Sequence, residues 1–234
     1  MRGQETNKSV VLLSGGMDSS VNLMAAHEAS QVVLALTFDY GQRAAASEIE
    51  VTRRLTARLK IPHQILKLPF FEDFGISSLL QSSRLDSVPV GQQVSIDSLE
   101  RSQETARAVW VPNRNGIFLN IAAGFCESLK AHWIVPGFNK EEATTFPDNS
   151  KDFLKATTSA LAYSTSNQVQ VKCFTTEMTK SEIVILGQQL KFDWTWMWPC
   201  YFSGDRWCGQ CESCLRSKRA LQSQQIPVEN FFAR

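Results

Sequence analysis

The sequence has no excess of either charge. Lys and Arg number 24 against 23 Asp and Glu, a net charge of +1. Such a balance gives no basic field to draw nucleic acid or an anionic membrane, so neither partner is expected. Long apolar runs are also missing. None approaches the roughly 20 residues that cross a bilayer, and the opening MRGQETNKSV has no apolar stretch of the kind a secretory leader needs. These absences predict a cytoplasmic protein, in which the six cysteines need a reason other than disulfides. Internal repeats are absent as well, which excludes solenoids and propellers.

What is present is an ordinary globular mixture: 234 residues, 43% hydrophobic and 20% charged. That suits one large α/β domain, alone or with a small appendage. Apolar runs at 8–13, 31–38, 62–68, 131–135 and 169–174 read as strands, and i, i+3/i+4 patterns at 19–29, 44–60, 115–130 and 179–190 read as helices. In the last of these, Thr179 or Ser181 stands at the cap position. Strands alternating with helices predict a Rossmann-like, mostly parallel sheet with helices on both faces. Two stretches break the rhythm. Residues 77–106, rich in Ser, Gln and charge, are expected to form a surface insertion or lid. Residues 194–234, dense in Trp and Cys at their start, are expected to form a small module appended to a main domain of residues 1–193.

The first strand runs into Leu13, Ser14, Gly15, Gly16, Met17, Asp18, Ser19 and Ser20. In an open α/β sheet, ligands bind beyond the carboxyl ends of the strands. Glycines there permit positive φ and close approach, and hydroxyls and helix N-terminal N–H groups bind anions. A phosphate is the expected ligand. No lysine follows, as a Walker A loop requires, and the Gly-x-Gly-x-x-Gly spacing is absent. Asp18 inside an anion site calls for a cation, and Mg²⁺ shared between Asp18 and a polyphosphate supplies one.

Near the other end, Cys200, Cys208, Cys211 and Cys214 are spaced C-x7-C-x2-C-x2-C. Thiolates so placed surround one tetrahedral ion. Zn²⁺ in a closed, structural shell is the first reading, and an iron–sulfur cluster is the rival. Cys126 and Cys173 fall in apolar segments and read as core. Trp194, Trp196 and Trp198 alternate. On a strand they would share a face, either packing the cysteine module onto the main domain or stacking on a purine.

The string Ser-Gly-Gly-Met-Asp-Ser resembles the motif of the PP-loop ATP pyrophosphatase superfamily. That likeness implies a loop gripping the β,γ-pyrophosphate of ATP while AMP passes to a substrate oxygen. Together with FDYGQR (38–43), VPNRNGIFL (111–119), TKSEI (179–183) and CGQCESCLRSK (208–218), it resembles the 7-cyano-7-deazaguanine synthase family across nearly the whole chain. The resemblance implies an ATP-dependent ligase. It adenylates the carboxylate of 7-carboxy-7-deazaguanine, takes up ammonia to give an amide, and with a second ATP forms the nitrile. Free ammonia is the expected donor, because His27, His63 and His132 lie in helix or strand-edge contexts unsuited to a Cys–His glutaminase pair.

On this reading Asp18, Arg114 and Lys180 are the catalytic set. Residues 13–20, Phe38 and Lys180 are expected on ATP, and Tyr40, Gln42, Arg43, Arg114, Asn115, Glu141 and Asp148 on the deazaguanine. The chain departs from the family pattern at Ala44, where histidine is common, at Asn113, where glycine is, and at Phe146–Ser150, in place of Tyr-Pro-Asp-Cys-Arg. Those departures keep three alternatives open: another amine acceptor such as a protein N-terminus, a tRNA-sulfurating relative, and a non-catalytic nucleotide sensor. A homodimer is expected from the resemblance and from the apolar IPVENFF near the end.

Overall fold

A computed structural model describes residues 7–83 and 87–232. Five parallel strands form one sheet in the order β3-β2-β1-β4-β5: β1 (Lys8–Leu12), β2 (Gln31–Asp39), β3 (His63–Lys67), β4 (Trp133–Val135) and β5 (Gln170–Val171). Order reverses between β1 and β4, so a crevice opens where their carboxyl ends diverge. Every expected strand is present, with the fifth much shorter than residues 169–174. No helix among the described residues is long and apolar enough to cross a membrane.

Strand alternation decides which layer each residue serves. Val11 and Leu13 face one layer with α1 (Met17–Ala29), α2 (Ala45–Leu59) and α6 (Lys180–Gln189). Val10, Leu34 and Leu36 face the other, with α4 (Arg114–Ser128) and α5 (Lys151–Ser164). Both central helices are apolar on nearly all sides, as buried helices must be. Thr179 caps α6 in a reciprocal pair with Glu182: the Glu182 N–H donates to Thr179 Oγ1 at 3.3 Å, and the Thr179 N–H to Glu182 Oε2 at 2.8 Å. Cys126 is fully buried on α4. Cys173 is half-buried, and its sulfur lies 3.4 Å from the Phe138 backbone N–H.

Three differences from the sequence reading have physical causes. Trp194–Trp196 is a single 3-10 turn, not a strand. Asp193 caps it by accepting from the Thr195 N–H at 3.0 Å, which curls the chain before strand pairing can begin. Trp194 then packs over Gly187 of α6, whose missing side chain makes room for the indole, and this favours the packing role over purine stacking. The stretch at 77–106 holds the start of a helix, α3 (Leu99–Val109), capped by Ser98. Its few apolar residues hid the periodicity. The segment at its front is tied to α3 by the Ser78 N–H donating to the Ala108 carbonyl, and residues 84–86 of that stretch lie outside the described part. Finally, α7 (Glu212–Ser223) follows the cysteines, and its Ala220 and Leu221 share a core with Val11, Val21 and Ile183.

Candidate active site

β1 ends in a turn that only glycine can make at position 15. Gly15 has φ +81°, and a Cβ there would lie 2.5 Å from Val51 Cγ2 of α2. Gly16 does not share that need, contrary to expectation. Its φ is −69°, it is the N-cap of α1, and a Cβ would meet only Ser14 Oγ at 3.5 Å. What glycine leaves at 16 is open space in front of the helix N-terminus. The Ser14 and Ser19 hydroxyls close the cradle, 3.0 Å apart. The first-turn N–H groups of α1 have no intrahelical partners and face this space.

Opposite the cradle, the chain leaves β4 through Pro136 and Gly137. A Cβ on Gly137 would stand 2.4 Å from the Ser19 backbone nitrogen, so the two segments meet backbone to backbone. Two residues on, Asn139 donates from Nδ2 to Asp18 Oδ2 at 3.1 Å.

Asp18, Glu142 and Lys180 form a buried ion triad. Lys180, 4% exposed at the start of α6, donates to Asp18 Oδ2 at 2.5 Å and to Glu142 Oε1 at 2.8 Å. Burial alone would lower the ammonium pKa, but the two carboxylates overcome it and hold the lysine charged. The balance differs for the acids. Burial raises the Asp18 carboxyl despite Lys180, whereas for Glu142 the lysine outweighs burial and lowers it. With all three ionised the triad carries one net negative charge, and Asp18 Oδ1 is buried without a hydrogen-bond partner. An orphaned carboxylate oxygen in a net-negative pocket beside a phosphate cradle suits a hard divalent cation.

These groups line one cavity of about 240 Å³. One wall is aromatic: Phe38 stacks on Phe118 at 4.1 Å, with Tyr40 5.5 Å from Phe118. Arg114, at the start of α4, donates from Nη1 to Tyr40 Oη at 3.2 Å. The preceding Asn113 has φ +50°, a left-handed conformation that glycine takes freely and asparagine tolerates. The substitution at 113 therefore keeps the turn that delivers Arg114. Beside Tyr40, Gln42 Nε2 donates to Glu48 Oε2 at 2.7 Å. Burial is the main cause that raises the Glu48 carboxyl to about 7.

Of the residues expected here, Leu13, Ser14, Gly16, Met17, Asp18, Ser19, Phe38, Tyr40, Gln42, Arg114, Asn115 and Lys180 border the cavity. Gly15, Ser20, Arg43, Glu141 and Asp148 do not. Gly15 is buttressed by α2, and Ser20 is turned into the core. Arg43 Nε donates to the Ser78 carbonyl at 2.9 Å. Asp148 sits behind Asn115, whose Nδ2 reaches its carbonyl at 3.5 Å. Glu141 is a brace: its Oε1 accepts from the Lys180 N–H at 2.8 Å, and its Oε2 from Arg216 at 3.2 Å and Arg219 at 3.3 Å. Glu142 is the carboxylate of that pair that faces inward.

Sequence reasoning missed Gly137, Asn139, Glu48, Tyr201 and the polar face of α7. The Pro-Gly-Phe-Asn after β4 was the available signal for the first two, since a strand end followed by Pro-Gly marks a close turn.

The four cysteines converge as their spacing predicts. The sulfurs of Cys200, Cys208, Cys211 and Cys214 all lie within 4.8 Å of one another. The backbone N–H groups of Gln210 and Cys211 donate to Cys208 Sγ at 3.4 Å, and those of Phe202 and Cys208 to Cys200 Sγ at 3.4 Å. Cys211 is the N-cap of α7, where the helix dipole favours a thiolate. Four thiolates so supported can hold a single metal ion.

Residues 8–225 match the family model described as "Queuosine biosynthesis protein QueC". A relative named 7-cyano-7-deazaguanine synthase in Bdellovibrio bacteriovorus is 56% identical over 98% of this chain and 99% of its own. Relatives of the same name in Desulforudis audaxviator and Methanosarcina mazei are 47% and 42% identical, each over 92% of this chain and at least 94% of theirs. At that identity and that coverage, the chain belongs to the QueC family of queuosine biosynthesis proteins.

Proposed function

We propose that this chain is an ATP-dependent ligase that converts 7-carboxy-7-deazaguanine and ammonia to 7-cyano-7-deazaguanine. The observation that carries the reading is the opening of the Ser14–Ser19 cradle and the Asp18–Glu142–Lys180 triad onto one cavity. A cradle without a lysine on the terminal phosphate suits the departure of pyrophosphate. The carboxylate oxygen attacks the α-phosphorus of ATP, the bond to pyrophosphate breaks, and the acyl adenylate forms. Ammonia adds at the carbonyl carbon, AMP leaves, and the amide remains after loss of a proton. A second ATP adenylates the amide oxygen, and loss of AMP with the remaining amide protons gives the nitrile.

The protein's part is positional and electrostatic. Serine hydroxyls and the N–H groups at the start of α1 hold the pyrophosphate oxygens. Arg114, fixed by Tyr40, sets a positive charge on the aromatic side of the cavity, where the α-phosphate charge grows. Lys180 is bonded to two carboxylates, so its first task is to hold Asp18 in place. Mg²⁺, which Asp18 Oδ1 and the net charge of the triad fit, supplies charge neutralisation on the polyphosphate. The closed set of four thiolates fits Zn²⁺ in a structural role. We also propose that the protein works in solution as a homodimer, which light scattering of the pure protein checks.

The test is to incubate the pure protein with ATP, Mg²⁺, ammonium and 7-carboxy-7-deazaguanine and to weigh the products. The nitrile is expected, with two AMP and two pyrophosphate for each. ADP and orthophosphate, or no nitrile, would overturn the proposal. Asp18→Ala is expected to abolish pyrophosphate release while leaving the circular dichroism of the native protein unchanged.

A further inference from the structure

The wall of the cavity formed by α7 contains polar groups that the adenylation chemistry leaves unused. Glu212 borders the cavity and is only 4% exposed. One of its oxygens is engaged: Oε1 accepts from Arg216 Nε at 3.0 Å and Nη2 at 2.7 Å. The other, Oε2, is buried with no hydrogen-bond partner. One helical turn and a residue further on, Ser217 is fully buried with an unpartnered Oγ, and it borders the same cavity. Leaving a buried acceptor unpaired is costly. Native structures keep such groups where a ligand completes them.

The carboxylate is also held still. Arg216 is fixed by three further contacts, to Glu141 Oε2 at 3.2 Å, to Ser102 Oγ at 3.2 Å, and by its place on α7 one turn from Glu212. The fork of the guanidinium therefore sets the plane of the Glu212 carboxylate, and Oε2 is presented in one direction. An ionised carboxylate only accepts. Its complement is a ligand edge of adjacent N–H donors with no acceptor between them. The adenine of ATP does not offer that, because its amine is flanked by ring nitrogens that accept. The pyrimidinone ring of a deazaguanine does, through N1–H and the exocyclic amine.

We infer that Glu212 is the specificity-determining residue for the acceptor ring, its free Oε2 accepting from the N1–H and amine edge of the deazaguanine. This rests on the acceptor named in the proposed function. Ser217 adds a hydroxyl to the same wall, and the phosphate cradle and the triad stand elsewhere around the cavity, which keeps the reacting carboxylate free to meet ATP.

The experiment compares Glu212→Gln with the intact enzyme, reading pyrophosphate release against 7-carboxy-7-deazaguanine and against its analogue lacking the exocyclic amine. Glutamine keeps an acceptor for Arg216 and places an N–H₂ where Oε2 was, so donor faces donor. The intact enzyme is expected to prefer the amine-bearing acceptor by on the order of 100-fold in kcat/KM. Glu212→Gln is expected to erase that preference and raise the KM for the acceptor, with the KM for ATP and the bound metal unchanged. A preserved preference overturns the inference, as does a change in the KM for ATP alone. Glu48→Gln, the other carboxylate bordering the cavity, is run in parallel, and loss of the preference there overturns it too. Should Glu212→Gln shed its metal, Glu212→Asp decides. It keeps the charge beside Arg216 and withdraws the oxygen by one methylene, so the acceptor KM must rise while the preference for the amine survives; an unchanged KM counts against. Failure of the intact enzyme to release pyrophosphate with this acceptor would strike the proposed function instead.

Discussion

Glu48 links a buried charge to a measurable pH dependence. It lies on α2 beside the aromatic wall of the cavity, and Gln42 donates to it at 2.7 Å. Burial raises its carboxyl from 4.5 to about 7, Asp39 adding to the rise while Gln42 and Arg114 oppose it. Between those two values the native state holds a proton that the unfolded chain has released. Stability therefore falls as pH rises from 4.5 to 7, and levels off above. The full cost at pH 8 is the rise multiplied by about 1.36 kcal/mol per pH unit, roughly 3 kcal/mol as an upper bound. Since the side chain is half-buried, solvent screening brings the expectation to about 1–2 kcal/mol. Glu48→Gln keeps an acceptor for Gln42 and cannot titrate. Urea unfolding of both proteins from pH 4 to 8.5 should show the variant gaining on the wild type through pH 5–7, then a constant lead of about 1–2 kcal/mol. A difference that does not vary with pH, or one that grows toward acid, would refute the argument that burial dominates at this carboxyl.

Three further outcomes are expected. Lys180→Met strands two buried carboxylates and should cost about 3–5 kcal/mol in urea unfolding at neutral pH, with the loss shrinking in acid as Asp18 and Glu142 take up protons. Gly137→Ala puts a methyl against the Ser19 backbone nitrogen, where the contact of 2.4 Å has no flexible side chain to yield; pyrophosphate release should fall by at least about 100-fold, measured by a coupled phosphate assay. Cys208→Ala removes the sulfur that accepts two backbone N–H groups, and should lose the metal by elemental analysis and several degrees of melting temperature.

The parts of the site legible in the sequence are those whose function is local. A strand end, two glycines and two serines make an anion cradle within six residues, and C-x2-C-x2-C fixes three sulfurs around one point. Lys180 was legible through its place at a capped helix start, although not its bonds to two carboxylates. Contacts that arise only when distant segments close on one another left no such trace. Glu141 and Glu142 are adjacent and chemically alike, yet one faces Arg216 and the other Lys180. Which does which depends on the 3-10 turn that begins at Glu142, and composition does not reveal that. Helices α3 and α7 were hidden for a related reason. Each carries a thin apolar stripe and many charges, because its polar face meets buried partners instead of water.

That last property gives α7 two tasks. Its N-terminus carries Cys211 and Cys214, and the side chains of Glu212, Ser213, Arg216 and Ser217 border the cavity. A helix of twelve residues with so many polar groups has little intrinsic reason to persist. Two things anchor it: the thiolates at its first turn, and the packing of Ala220 and Leu221 against the core shared with α1 and α6. With the first turn held by a metal, Glu212 and Arg216 are confined to one arrangement, and Arg216 in turn pins Glu141, which accepts from the first N–H of α6. Lys180, at that same position, grips Asp18. The cysteines thus lie at one end of an unbroken series of hydrogen bonds and ion pairs that finishes at the phosphate cradle, which is a physical reason for a closed metal shell to accompany an adenylating site in a single chain.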